Sequence, residues 1–374
     1  LLCALLAACA APAPQVVTVK ETVVVTTENV VEVEKVVQQT VEVPLAPTAA
    51  PKGGKLVMGT DKFPSGLDPH VNSSWDVMRI LVSVYDPLVW QDPETGEILP
   101  GLAESWEISD DGLRYTLRLR KDVSFHDGTP FNAEAAKFSL DRILAPETQS
   151  QYAKAFLGPT DSIDAVDEYT LRINLKTPSA YLLSGLSQTY VAMVSPAAVE
   201  RWGSEYQLHQ VGTGPFIMKE YVPKDHVTLT RNDKYSWAPS IFEHQGPAYL
   251  EEIEWRFLPE EATRLPALET GDVQLVISLP PVDAARLTNL ADFSLLTSRL
   301  RVTQPLEFFI NTQKSPTDDI RVRQALNYAT DQQSILNSVL RGLYLPAHGP
   351  LAGTAFEYSD QVEDMYPYDV EKAR

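Results

Sequence analysis

LAESWEISDDGLRYTLRLRKDVSFHDGTPFNAE, residues 102–134, is the stretch on which the fold turns. Trp106-Glu107-Ile108 and the run from Arg114 to Arg120 flank Asp110-Asp111-Gly112. Asp-Gly suits a tight hairpin turn, because glycine reaches positive φ without a Cβ clash. In the second arm Tyr115, Leu117 and Leu119 fall between basic positions, so the spacing predicts a strand with one buried face. Asp127-Gly128-Thr129-Pro130 has the chemistry of a further tight turn. Asn132 then caps, and Glu134 charges, the first turn of a helix running to Leu144, with Phe138, Leu140 and Ile143 among its apolar positions.

Upstream, Lys55–Thr60 reads as a short buried strand, followed by an irregular polar loop to Ser74 and a helical pattern through Asp76, Ile80, Leu81 and Val84. Asp92-Pro93-Glu94-Thr95-Gly96-Glu97 is a turn cluster between strand-like runs. The whole chain has 374 residues, 44% hydrophobic and 22% charged, which is a globular composition with room for two or three domains. No run of about 20 apolar residues occurs, so nothing in the sequence reads as a membrane span. Against 31 Lys and Arg stand 50 Asp and Glu; the net charge of −19 repels phosphate backbones and excludes nucleic acid as an expected partner. The two cysteines, Cys3 and Cys9, both lie at the extreme N-terminus, so the body offers no disulfide, thiolate zinc site or thiol nucleophile.

The ends are informative in their own way. Residues 1–9 read as the tail of a secretory signal whose beginning is missing, and Leu6-Ala7-Ala8-Cys9 resembles the lipobox of bacterial lipoproteins, which makes Cys9 the lipidation candidate; a stray cysteine in an apolar leader is the alternative. Residues 10–51 form a low-complexity spacer. Within it, Val16, Val23, Val30 and Val37 recur every seven residues, as a short coiled coil would require, yet Val and Thr are poor helix formers, which favours an extended or disordered stalk over the coiled coil. At the other end, Asp369 to Arg374 has the cap and acidic first turn of a helix that stops abruptly, which suggests a fragment.

Leu102-Ala103-Glu104-Ser105-Trp106, Arg120-Lys121-Asp122-Val123 and Phe125 through Glu134 resemble the signature of family five of the bacterial extracellular solute-binding proteins, the substrate-capturing lipoproteins of peptide, dipeptide and nickel ABC importers. The resemblance continues in order through Val211-Gly212-Thr213-Gly214-Pro215-Phe216, Leu229 to Tyr235, Glu252 to Trp255, Leu268 to Val273, Phe309 to Lys314 and Arg321 to Leu326, and so covers about residues 52–374. Gln274 departs from it, standing where the family usually has Asp, and bears on local capping. The resemblance implies an α/β fold: a two-lobed periplasmic-binding-protein-like clamp of type II with an inserted subdomain, incomplete at the C-terminus. The first lobe would take residues 52–90 and 211–305, the inserted subdomain 91–210, and the second lobe would start at 306–374. It also implies a receptor, not an enzyme, without cofactor, held to the outer face of the cytoplasmic membrane through its lipid. That receptor would bind a short peptide or similar solute by lobe closure and pass it to ABC permease subunits.

Site candidates follow mainly from that resemblance. An extended ligand in peptide-binding relatives lies against the loop after Leu67-Asp68-Pro69-His70, which points to Ser73, Ser74 and Trp75, their backbone pairing with the ligand as an added strand; Trp75 as a core residue is the alternative. Tyr152 matches a position that reaches the cleft, Ser278 sits where the first lobe nears the hinge, and Phe308 and Phe309 either line a side-chain pocket or form a buried strand. The signature motif itself reads as structural. Gly212-Thr213-Gly214-Pro215 lacks the Gly-Lys-Ser/Thr of a nucleotide loop and reads as a glycine turn. The six histidines have no metal-ligand spacing and read as solvated or singly hydrogen-bonded, so no metal site is expected. Glu251-Glu252 and Asp318-Asp319 read as caps and solvated charge rather than glycosidase carboxylates. Oligosaccharide and nickel-chelate receptors are the alternatives within the family; a secreted hydrolase on a stalk and a coiled-coil adhesin are the alternatives outside it.

Overall fold

The computed structural model describes residues 52–150, 152–296, 305, 307–353 and 358–374. The chain divides into residues 1–51 and 52–374, and both Cys9 and the heptad-patterned spacer lie outside the described residues. In chain order the strands are β1 (Lys55–Thr60), β2 (Val89–Gln91), β3 (Ile98–Pro100), β4 (Ala103–Ile108), β5 (Arg114–Leu119), β6 (Thr160–Asp167), β7 (Thr170–Leu175), β8 (Phe216–Val222), β9 (His226–Arg231), β10 (Glu252–Phe257) and β11 (Leu275–Val276).

A five-stranded sheet runs β11-β1-β10-β9-β8. Its first three strands are parallel and the last two antiparallel, so β1, early in the chain, is flanked by strands about 200 residues later. The register explains the alternation of β10. Ile253, Trp255 and Phe257 are buried on one face, whereas Glu252 and Glu254 point to the other and meet Lys55 Nζ of β1 at 2.8 and 2.6 Å. Gln274 serves the sheet edge. Its Oε1 accepts the Val57 N–H at 2.9 Å, and its own N–H donates to the Val57 carbonyl at 2.9 Å. A neutral acceptor at this position therefore suffices to tie β11 to β1.

The hairpin read from the sequence is β4-β5, with Gly112 at φ +67°, and β7 and β6 extend it to an antiparallel sheet of order β4-β5-β7-β6. Tyr115, Leu117 and Leu119 are the buried positions of β5. The helix Ala133–Leu144 packs on it, its Asn132 Oδ1 accepting the Ala135 N–H at 3.0 Å. One apolar core runs from Leu67 and the helix Trp75–Leu81 through Leu117, Leu140 and Ile173 to Val227 and Trp255.

Three polar clamps join the loops to this core. Gly212 and Gly214 pass directly over Val84 and Tyr85, and a Cβ on Gly212 would stand 2.2 Å from the Val84 carbonyl oxygen. These glycines serve close backbone approach. His126 bridges the same turn, Nε2–H donating to the Gly214 carbonyl at 3.0 Å while its backbone N–H donates to the Gly212 carbonyl at 2.9 Å. Asp127 accepts from the Ser195 hydroxyl and from the Thr129 N–H. Asp86, fully buried, accepts from Thr213 Oγ1, Tyr235 Oη and Trp237 Nε1, each at 2.9 Å.

Beyond residue 305 no strand occurs among the described residues. The helices Ile320–Ala329 and Val370–Ala373 meet, with the Asp369 N–H on the Tyr328 carbonyl at 2.8 Å and Lys372 Nζ 4.2 Å above the Tyr328 ring. No helix among the described residues is long and apolar enough to cross a membrane.

Candidate functional site

Three chain segments leave the sheet at the carboxyl ends of its parallel strands, the edge at which open α/β sheets present ligand-binding loops. The Leu258 N–H donates to the Thr60 carbonyl at 2.7 Å and the Ile277 N–H to the Gly59 carbonyl at 2.9 Å, so the segments after β1, β10 and β11 start side by side. The segment after β1 is the loop leading to Ser73, Ser74 and Trp75, and the one after β11 begins with Ile277 and Ser278.

The loop is held from within and from behind. Within it, the His70 N–H donates to Asp68 Oδ1 at 3.0 Å, Asn72 Nδ2 to the Gly66 carbonyl at 3.0 Å and the Ser74 N–H to Asn72 Oδ1 at 2.8 Å. Behind it, Arg142 of the helix Ala133–Leu144 donates from Nη1 to Asp68 Oδ1 at 3.0 Å and to His70 Nδ1 at 2.8 Å, and from Nη2 to Asp68 Oδ2. His70 Nε2–H then donates to the Ala192 carbonyl at 2.8 Å. Burial, reinforced by the Arg142 charge, holds the His70 imidazole down at about 4, so it is neutral and its single ring proton sits on Nε2.

Tyr190 brings two of the expected residues together. Its hydroxyl donates to the Ser73 carbonyl at 3.3 Å, and its ring meets Tyr152 edge-on at 4.7 Å between centroids and stacks on Phe156 at 5.6 Å. Burial, with Tyr152 and Asp76 close by, pushes the hydroxyl up to about 12, which keeps it a donor at neutral pH. Trp75 is 61% exposed and Tyr152 48% exposed, so both rings present apolar area to solvent next to a polar backbone. Asp76 adds charge at the rim, between Lys62 and Arg79 at 3.2 Å each.

Other expectations meet a different arrangement. The Ser74 amide is already engaged by Asn72, and the Ser74 carbonyl accepts the Met78 N–H at 3.3 Å, because Ser74 is the N-cap of the helix Trp75–Leu81. What the loop offers for strand addition is therefore the exposed Ser73, whose carbonyl also accepts from the Tyr190 hydroxyl and keeps one lone pair for a ligand. Ser278 is exposed and adopts φ +65°, a left-handed conformation that an L side chain rarely takes, directly before Leu279-Pro280-Pro281. Phe308 and Phe309 are 93% and 86% exposed and lie in no strand, since no described strand pairs with them. No hydrogen bond or ring contact among the described residues joins Ser278, Phe308 or Phe309 to the Tyr190 group.

No local sequence pattern points to Tyr190. Arg142 carries a signal: it falls three residues after the buried Ser139 and seven after the buried Ala135, a charge on the inward stripe of its helix. The expectation that histidines are solvated or singly bonded fails at His70, which is buried with both ring nitrogens engaged, and at His126, whose two ring nitrogens both face the Gly212–Gly214 turn. Their partners come from residues 72 to 122 positions away, which no local pattern shows. No group of three metal-ligating side chains occurs among the described residues. One recess of about 390 Å³ lies against the helix Glu261–Glu269 and another of about 340 Å³ behind Arg142, and neither is lined by Ser73, Trp75 or Tyr152.

Comparison with known proteins identifies relatives of the whole folded body. The glutathione-binding protein GsiB of Pectobacterium atrosepticum is 33% identical over 329 residues, which are 88% of this chain and 61% of that protein. The heme-binding protein A of Haemophilus influenzae is 34% identical over 343 residues, 85% of this chain and 60% of that protein. Among solved structures, the ABC transporter-associated periplasmic binding protein DppA of Helicobacter pylori, in complex with the peptide STSA, superposes with a TM-score of 0.76 at 28% identity, over 86% of this chain and 65% of that one. The chain thus spans about three fifths of the length of these relatives, and its α/β fold is that of the type II periplasmic binding proteins. Residues 97–374 match the family described as bacterial extracellular solute-binding proteins, family 5 Middle, and the chain belongs to that family.

Proposed function

We propose that the protein captures a small solute, a short peptide in the first place, against the face formed by Ser73, Trp75, Tyr152 and Tyr190, and delivers it to an ABC permease by lobe closure. The observation that carries this reading is the pairing of an exposed backbone segment at Ser73 with the exposed Trp75 and Tyr152 rings, backed by Tyr190. Backbone groups would hold the main chain of a peptide whatever its side chains, and rings would take up apolar side chains. DppA with its bound peptide and the glutathione-binding GsiB support a peptide-like ligand. Nothing in this reading requires catalysis; selectivity comes from burying the solute between lobes.

The direct test is mass spectrometry of the solute that co-purifies with the full-length gene product, followed by calorimetry with tri- and tetrapeptides. Saturable peptide binding, weakened at least tenfold by Tyr152→Ala, is expected. Binding of an oligosaccharide or a nickel chelate, with none of peptides, would replace the substrate class.

The proposal extends to location. Acylation of Cys9 after cleavage behind Ala8 would hold the protein at the outer face of the cytoplasmic membrane, since each buried CH₂ of an acyl chain contributes about 0.8 kcal/mol. Cys9→Ala is expected to release the protein from the membrane fraction or leave it unprocessed, read by fractionation and intact mass. Membrane retention of a cleaved Cys9→Ala protein would end that reading.

A further inference from the structure

Both walls of the candidate site trace back to one side chain. The first wall is the Asp68–Trp75 loop, whose Asp68 carboxylate sits in the fork of the Arg142 guanidinium. The second is the Thr189–Ala192 turn that carries Tyr190; its Ala192 carbonyl accepts from His70 Nε2–H. Arg142 controls that bond as well, because donating to His70 Nδ1 leaves Nε2 as the protonated nitrogen. The opposite tautomer would set two donors against each other at Nδ1 and two acceptors at Ala192. A planar guanidinium meets the carboxylate and the imidazole at once, which a lysine ammonium on a flexible stem does less well.

We infer that Arg142 is the positioning residue of the solute-binding face: through Asp68 it fixes the loop bearing Ser73 and Trp75, and through the tautomer of His70 it fixes the turn bearing Tyr190. This rests on the reading of that face as the solute site, but its structural content is measurable without any solute. Arg142 touches no solute in this scheme. It acts by holding Ser73 and Tyr190 at the spacing at which the tyrosine hydroxyl reaches the Ser73 carbonyl.

The test uses the full chain without added ligand and three variants, Arg142→Met, Arg142→Lys and His70→Phe. In the parent protein, ¹⁵N NMR is expected to show His70 as the Nε2–H tautomer, and amide exchange to be slow at His70, Asn72 and Ser74 and at Val191 and Ala192. Arg142→Met is expected to speed exchange at least tenfold in both segments and to abolish the single tautomer. Arg142→Lys should restore protection at residues 70–74 through Asp68 but not at 191–192, and His70→Phe, which leaves the Ala192 carbonyl without its donor, should loosen 191–192 while Arg142 still holds Asp68. A merely structural arginine would loosen its own helix instead, without separating the two walls. Unchanged exchange in both segments in a folded Arg142→Met protein overturns the inference; if that variant does not fold, unchanged exchange at 191–192 in both Arg142→Lys and His70→Phe overturns it. Calorimetry with tri- and tetrapeptides is the separate arm. A parent protein that binds none of them counts against the solute site, while the exchange and tautomer results still decide the role of Arg142.

Discussion

Taking the protein from pH 7 to pH 4 is expected to strip several kcal/mol from its stability, with most of the loss between pH 6.5 and pH 4. His70 and His126 are each held down at about 4, His70 by burial and then the Arg142 charge, His126 by burial. An unfolded histidine titrates near 6.5, so between the two values the unfolded chain binds more protons than the folded one. Stability from such a group is complete above 6.5 and falls as the pH drops towards 4. For the wholly buried His70 this amounts to about 3 kcal/mol at the acid end, and for His126, which keeps part of its surface in solvent, to somewhat less. The structural event is the same in both. Protonation turns an accepting Nδ1 into a donor facing another donor, Arg142 Nη1 in one case and the Gly212 N–H in the other. Asp86 works in the opposite sense, because burial pushes its carboxyl up and acid relieves that penalty, which trims the loss without reversing it. Urea unfolding at a series of pH values measures the slope. His126→Gln keeps a donor for the Gly214 carbonyl and should flatten the acid limb, and a limb of unchanged steepness would show that His126 does not contribute to it.

Asp86→Ala is expected to destabilise the fold by about 3–5 kcal/mol, the range for removing one partner from a buried charged cluster. Its carboxylate takes three donors from three places in the chain: Thr213 of the glycine turn, and Tyr235 and Trp237 of the segment after β9. Truncation leaves all three buried donors without an acceptor. Asp86→Asn retains an oxygen for Thr213 and Trp237, while Tyr235 Oη can turn to accept from the new amide, so its loss should be about half as large. Equal stability of Asp86→Ala and the parent in urea would mean that water replaces the carboxylate and that the cluster does not hold the glycine turn.

Part of this protein is legible in one dimension because its signals are local. The Asp111-Gly112 turn, the alternation of Tyr115, Leu117 and Leu119, and the Asn132 cap each depend on residues within a few positions, and each appears where the pattern puts it. The glycines of Val211–Phe216 are legible in kind, as a turn, but not in their reason, which is the Val84 carbonyl 2.2 Å from where a Cβ would stand. Ser73 and Tyr152 were reached through resemblance to a family, and nothing local to either residue announces a site.

The amino-acid sequence alone determined the local elements, the acidic and cysteine-free character of the body and the family to which it belongs. Only the tertiary structure decided which residues form the candidate face. Asp68, His70, Arg142, Tyr190 and Ala192 meet across as many as 124 positions, through directional bonds that exist only once the loop after β1, the signature helix and the Thr189–Val191 turn are packed together. Short-range propensities fix where a strand or helix begins. The tautomer of a buried histidine, the reach of a tyrosine hydroxyl to a backbone carbonyl and the exposure of Trp75 depend on desolvation and on partners distant in the chain, which no local pattern contains.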